Sequence, residues 1–120
     1  MSTPRQKIGS WGESVAGDYL SRNGYTILER NYRVTHGEID IIASKDEVLI
    51  FLEVKTRTSH AFGYPESSVT SRKQAHLIVA AEEYLMASPQ LWEHWQFDII
   101  AIEGRPGNNP VITHIENVIS

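Results

Sequence analysis

Residues 37–55 read GEIDIIASKDEVLIFLEVK, and this stretch decides the fold. Two β-rich runs, 37–44 and 47–55, flank Asp46, which predicts an antiparallel hairpin with a tight turn at that point. Side chains alternate across a strand, so Ile39, Ile41 and Ala43 are expected on one face and Glu38, Asp40 and Ile42 on the other. In the second run Val48, Ile50, Leu52 and Val54 oppose Leu49, Phe51, Glu53 and Lys55. Burying the two uniformly apolar faces on one side forces Glu38, Asp40, Glu53 and Lys55 together onto the opposite side, because a one-residue slip would carry charges into the core. With Asp46-Glu47 as a two-residue loop, Lys45 pairs with Val48, Asp40 falls across from Glu53, and Glu38 falls across from Lys55. Side chains paired in this way have Cβ atoms about 5 Å apart.

On the N-terminal side, Thr3 is a good helix N-cap, Pro4 suits the first helical position and Gly24 can close the helix in a left-handed conformation. A helix over residues 4–23 follows, with Ile8, Trp11, Val15 and Tyr19 as its core stripe. Gly9, Glu13, Ala16 and Leu20 form a column beside that stripe, so Glu13 borders the buried face. The segment YTILERNYR (25–33) reads as a first strand, and Thr35-His36-Gly37 as the turn after it. Beyond the hairpin, residues 56–69 read as a long loop. A second helix spans 71–87, with Leu77, Ile78, Ala81 and Leu85 on one face and Ser88-Pro89 ending it. Two late strands, 94–103 and 111–119, give the order α-β-β-β-α-β-β. The expected fold class is α/β, a mixed sheet flanked by helices. The 120 residues are read as a single domain, within the usual domain size of roughly 100 to 150 residues.

Composition removes several chemistries. With no Cys there is no disulfide, no thiolate zinc site and no cysteine nucleophile. The longest apolar run, residues 48–52, is far short of the roughly 18 residues that span a bilayer, and the N-terminal segment has no apolar signal region. A cytoplasmic protein without a membrane partner is the expectation. The net charge of -4 argues at first against nucleic acid, but it is unevenly distributed. Residues 1–73 hold ten of the eleven Lys and Arg with nine of the fifteen Asp and Glu, a net +1, whereas residues 74–120 carry -5.

Two facing carboxylates repel, and on a half-buried face this raises a pKa unless a cation intervenes. Oxygen ligands favour a hard ion, Mg²⁺ or Mn²⁺, over zinc. Lys55, two residues from Glu53, would be a fixed positive charge able to stabilise a phosphorane-like transition state. Carboxylates, metal and lysine together point to phosphodiester hydrolysis. The structural alternative is a solvated salt bridge on an exposed strand face. Arg57, His60, Phe62, Tyr64, Arg72 and Lys73 combine positive charge with aromatic surface, a mixture suited to backbone and single-strand contacts. Arg5, Lys7, Arg30 and Arg33 could extend that path. His36, His60, His76, His94 and His114 show no ligand spacing and receive no chemical role.

Gly12-Glu13, Gly37-Glu38-Ile39-Asp40, Phe51-Leu52-Glu53-Val54-Lys55-Thr56-Arg57 and Lys73-Gln74 resemble the YraN-like bacterial family, grouped with Holliday-junction-resolvase-like nucleases of the PD-(D/E)xK superfamily. The resemblance extends from Gly9 to Asp98. It implies a restriction-endonuclease-like core and a metal-dependent nuclease acting on DNA, including branched or repair intermediates. It also implies a Mg²⁺ or Mn²⁺ ion held by Asp40, Glu53 and the main-chain carbonyl of Val54, with Lys55 as the catalytic lysine. Glu13 matches the first-helix glutamate of resolvase relatives, where it would hold a second metal or a water, and Glu38 would tune Lys55. Gln74 matches a polar residue at the start of the second core helix; it also completes a Ser71-x-x-Gln74 capping box. Ile39 replaces the superfamily's nominal Pro, and Gln96 stands where Arg is expected. A homodimer follows only by analogy with junction resolvases. Two alternatives remain open: a non-catalytic nucleic-acid or protein-binding module on the same scaffold, and a small protein whose hairpin charges form a salt-bridge ladder.

Overall fold

The structure is a computed structural model that describes residues 3–58 and 71–119. Its elements are α1 (Pro4–Arg22), β1 (Thr26–Val34), β2 (Gly37–Lys45), β3 (Val48–Arg57), α2 (Ser71–Ala87), β4 (His94–Glu103) and β5 (Val111–Ile115). The five strands form one sheet in the order β1-β2-β3-β4-β5. All neighbours are antiparallel except β3 and β4, which are parallel and are connected through the segment containing α2. The expected mixed α/β layout and element order are therefore present.

Local chemistry accounts for the element ends. Thr3 caps α1 in a reciprocal capping box, its Oγ1 accepting from Gln6 N–H at 3.1 Å while Gln6 Oε1 accepts from Thr3 N–H at 2.8 Å. After the cap at Asn23, Gly24 turns the chain with φ 85°, a conformation that costs a residue without Cβ little. Asp46 and Glu47 have φ 50° and 66°, the pair of left-handed residues that a type I′ hairpin needs. Lys45 pairs with Val48 as expected, and the ladder runs from there to Ile41 opposite Leu52.

The two helices cover opposite faces of the sheet. Ala16 and Leu20 of α1 pack with Ile41, Ala43, Ile50, Leu52, Ile100 and Ile102. Leu77, Ala80 and Ala81 of α2 pack with Ile39, Ile42, Leu49, Phe51 and Phe97. The face that carries Ile42, Leu49 and Phe51 is covered by α2, which packs on them. One sequence expectation is corrected here: Ile39 does not share the face of Ile41 and Ala43 but joins the α2 side. The cause is a local kink. Asn31, opposite Asp40 in register, has φ 51°, and the regular β2–β3 ladder stops short of Asp40, whose Oδ2 accepts the Val54 N–H at 2.8 Å.

Other boundaries shift for physical reasons. The most buried column of α1 is Gly12, Ala16 and Leu20 rather than the larger residues beside it, because small residues let the helix approach the sheet. Trp11, Val15 and Tyr19 flank this column, partly buried and packed against the core. The last strand ends at Ile115 instead of 119, since the chain turns at Asn117 with φ 57° and gives the Asn117 N–H to the side chain of Asp98. Two glycines mark the tightest contacts. A Cβ on Gly12 would overlap the Thr56 side chain, and one on Gly37 would overlap the His76 carbonyl of α2.

Candidate active site

Each of those glycines precedes a glutamate. Gly12 seats α1 on the end of β3 and so delivers Glu13; Gly37 seats α2 on β2 beside Glu38. Between them lies a cleft of about 850 Å³ whose walls include Glu13, Glu38, Asp40, Glu53, Val54 and Lys55. Arg5, Arg57 and Lys73 also line it. The structure thus gathers residues from α1, β2, β3 and α2, from Pro4 to Leu77, that lie far apart in the chain.

Asp40 and Glu53 have unlike surroundings. Burial pushes the Asp40 carboxyl up to about 6; the Val54 N–H bond opposes that rise, while the charges of Glu13, Glu53 and Glu38 add to it. Glu53 is buried, with only 7% of its surface exposed. Its Oε1 meets two cations, Lys55 Nζ at 3.3 Å and Lys73 Nζ from α2. Its Oε2 is buried and has no hydrogen-bond partner among the described residues, a condition shared only with Trp92 Nε1. Burial and the neighbouring Lys73 lower the Lys55 pKa against the pull of Glu53. Burial opposes the charge on Lys73, but contacts with Glu53 and Lys55 outweigh it and raise that pKa.

A buried carboxylate oxygen without a partner, in the same cleft as a second carboxylate whose charge burial disfavours, is a place where a further cation would be stabilised. It suits a hard divalent cation. The expected placement of Asp40 squarely opposite Glu53 is replaced by the kinked arrangement, yet both carboxylates still reach the same cleft. Gln74 is not among the cleft-lining residues; Lys73, His76 and Leu77 occupy the side of α2 that is. Helix α2 is described from Ser71 onward, and the residues just before it fall outside the described residues. Arg72 lines a neighbouring groove, and Tyr64, His60 and Phe62 fall outside the described residues. Of the further cations, Arg5 lies in the cleft and Arg33 in the adjoining grooves, whereas the Arg30 guanidinium lies against Gly17.

Sequence reasoning missed a second polar centre. Asp98, 1% exposed on β4, accepts from Gln96 Nε2 at 2.9 Å and from Asn117 N–H at 2.9 Å, and lies 2.7 Å from His114 Nε2. His114 Nδ1 lies 2.9 Å from the Tyr19 hydroxyl. Burial, then the charges of Glu116 and Asp98, raise the Tyr19 pKa, which favours the hydroxyl as the donor to Nδ1 and Nε2–H as the donor to Asp98. Asp98, His114 and Glu116 present ligand atoms within 4.8 Å of one another and could hold a metal ion. Both Asp98 oxygens are already engaged in this network, which ties α1 to β4 and β5. The contact also gives Gln96 a structural role where an arginine was expected. No local signal could have found this centre, because its residues are brought together by strand pairing and by α1 alone. Among the described residues no helix is long and apolar enough to cross a membrane.

Comparison with known proteins places these residues in a family. The chain is 43% identical over 112 residues to a UPF0102 protein of Syntrophomonas wolfei, covering 93% of this chain and 96% of the relative. It is 50% identical over 97 residues to one from Chlorobaculum parvum, covering 81% of this chain and 75% of the relative. A third relative, from Geobacter metallireducens, is 46% identical over 117 residues, covering 98% of this chain and 95% of the relative. Residues 12–102, which run from the glycine before Glu13 to the end of the buried part of β4, match the profile described as "Uncharacterised protein family UPF0102". The chain belongs to this family, the YraN-like family that its motifs resemble.

Proposed function

We propose that this protein is a metal-dependent nuclease that hydrolyses phosphodiesters in DNA, with branched or repair intermediates as the substrates its family resemblance suggests. The observation that carries the reading is the buried, unpartnered Oε2 of Glu53 in the cleft that also holds Asp40. Asp40 and Glu53, with Glu13 and the Val54 main chain in the same cleft wall, would hold Mg²⁺ or Mn²⁺. When bound, such an ion supplies Lewis-acid polarisation of a phosphoryl oxygen and a more acidic water.

The chain's own residues do the rest. The Val54 N–H fixes the Asp40 carboxylate through Oδ2, so one ligand is oriented before any ion arrives. Lys55 is held 3.3 Å from Glu53 and places a positive Nζ beside the carboxylates, where it would face the charge that develops on the phosphoryl group. Arg5, Arg57 and Lys73 give the cleft the positive wall that a polyanion needs.

Calorimetric titration with Mg²⁺ and Mn²⁺, paired with cleavage of branched and single-stranded DNA, tests the proposal. Wild type should bind the ion and Asp40→Ala should not. Lys55→Ala should keep metal binding while cleavage falls on the order of a hundredfold. Absence of binding in the wild type, or cleavage that survives both substitutions, refutes it.

A further inference from the structure

A second groove, of about 460 Å³, opens beside the cleft and shares two walls with it, Glu38 and His76. Its remaining polar lining is Arg33, Thr35, His36 and Arg72. We propose that this groove is a phosphate subsite, which holds a phosphate of the same nucleic-acid strand whose phosphodiester lies in the cleft.

The lining is almost wholly donor in character. Two guanidinium groups, a hydroxyl and two imidazoles, each able to donate whichever its tautomer, converge on one groove. The sole acidic side chain there is Glu38, and it is engaged: its Oε1 accepts from Arg33 Nε at 3.3 Å. That bond uses only the Nε–H of Arg33. Among the described residues both terminal nitrogens remain for an anion, and a guanidinium steadied at Nε presents its outer edge to phosphate in the bidentate geometry that lysine cannot match. With the histidines counted as neutral, Arg33 and Arg72 against Glu38 leave a formal charge of +1, so the groove does not depend on protonation to attract an anion.

The polar residues of the groove are exposed, and backbone pairing and helix packing fix where they stand. Arg33 pairs with Glu38 across the β1–β2 ladder, so the first arginine is fixed on the sheet. Arg72 and His76 come from α2, and the helix is brought against the sheet here because Gly37 offers no Cβ to meet the His76 carbonyl. Continuity with the cleft through Glu38 and His76 means that a ligand filling both must carry anionic groups at intervals along one chain, which describes a nucleic-acid backbone. The proposal rests on the nuclease reading only for the identity of the neighbouring site.

The test is binding of a single-stranded oligothymidylate, with and without a 5′-phosphate, in EDTA across a salt series. Wild type, Arg33→Ala, Arg72→Ala, the double variant and Arg72→Lys are compared. Each alanine substitution should weaken binding about fivefold and make the salt dependence shallower by about 0.7 in log–log slope per lost phosphate contact. Arg72→Lys should recover part of the slope but less of the affinity. A gain from the 5′-phosphate that disappears in the double variant identifies a terminal phosphate as the occupant; equal binding of the two oligonucleotides, with the same losses, identifies an internal one. A folded double variant with wild-type affinity and slope overturns the subsite, as does a wild type that binds neither oligonucleotide at millimolar concentration. The two readings separate cleanly. Losses in the arginine variants without any metal-dependent cleavage by wild type keep the subsite and reject the nuclease; cleavage with no arginine effect does the reverse.

Discussion

Replacing Asp40 with asparagine should make the metal-free protein more stable. The Asp40 carboxyl is raised from 3.8 to about 6 by its burial and by the nearby Glu13, Glu53 and Glu38. Each tenfold change in proton affinity corresponds to about 1.4 kcal/mol, so holding this group charged at neutral pH costs the fold about 3 kcal/mol. Because the folded-state value lies above the unfolded one, folding benefits from this group in full below about pH 4, and the benefit is lost as pH rises through about 6. Asp40→Asn removes the charge but keeps an oxygen able to accept the Val54 N–H. In EDTA at about pH 7.5 it should exceed wild type by about 2–3 kcal/mol in denaturant unfolding, or roughly 10 °C in Tm. Lowering the pH through 6 should shrink the difference, and near pH 4 it should vanish. Added Mg²⁺ should act the other way, stabilising wild type by about 2.7 kcal/mol at a hundred times its dissociation constant and leaving the variant unchanged. A variant less stable than wild type in EDTA at neutral pH, or an advantage that is the same at both ends of the pH range, refutes the reasoning.

Gly12→Ala should destabilise the protein by about 1–3 kcal/mol, because the added carbon must displace Thr56 or lift α1. Thermal unfolding measures the loss; calorimetry should show weaker Mg²⁺ binding as Glu13 moves, and Thr56→Ala in the same chain should restore part of both. His114→Ala should cost about 2–3 kcal/mol in unfolding, since it removes a partner from the buried Asp98 carboxylate. Mg²⁺ binding at the cleft should be unaffected. A metal titration abolished by His114→Ala but intact in Asp40→Ala would place the ion at Asp98, His114 and Glu116 instead.

Much of this architecture could be read from local chemistry. The limits of α2 and β4 agree with the sequence expectation, since Ser88-Pro89 and the turn-rich segment before Val111 are strong punctuation. The hairpin register followed from its two-residue loop. The kink at Asp40 did not, because alternation assumes a regular strand and only a left-handed Asn31 on the neighbouring strand disturbs it. Glu38, Asp40 and Glu53, grouped by charge and strand alternation, do line one cleft, whereas Glu13, which lines it too, was singled out only through the family resemblance. His76 was given no role and Arg33 was offered only as one of four cations that could extend the nucleic-acid path, because their positions depend on how closely α2 and β1 approach β2. The Asp98 network escaped for the same reason: its four side chains, Tyr19, Gln96, Asp98 and His114, come from α1, β4 and β5.

The two glycines that precede Glu13 and Glu38 have a further consequence. A glutamate side chain has a fixed reach, so the aperture of the cleft is governed by how near three backbones lie, and at Gly12 and Gly37 that separation is set by a carbon that is absent. Neither glycine can take part in chemistry, yet each acts as a gauge for it. Exchanging a wall residue changes the lining of such a cleft but not the spacing of its backbones; for that a helix must slide, and the contacts broken by that movement are those of the core. Selection for a larger ligand and selection for a stable fold therefore act on the same two positions.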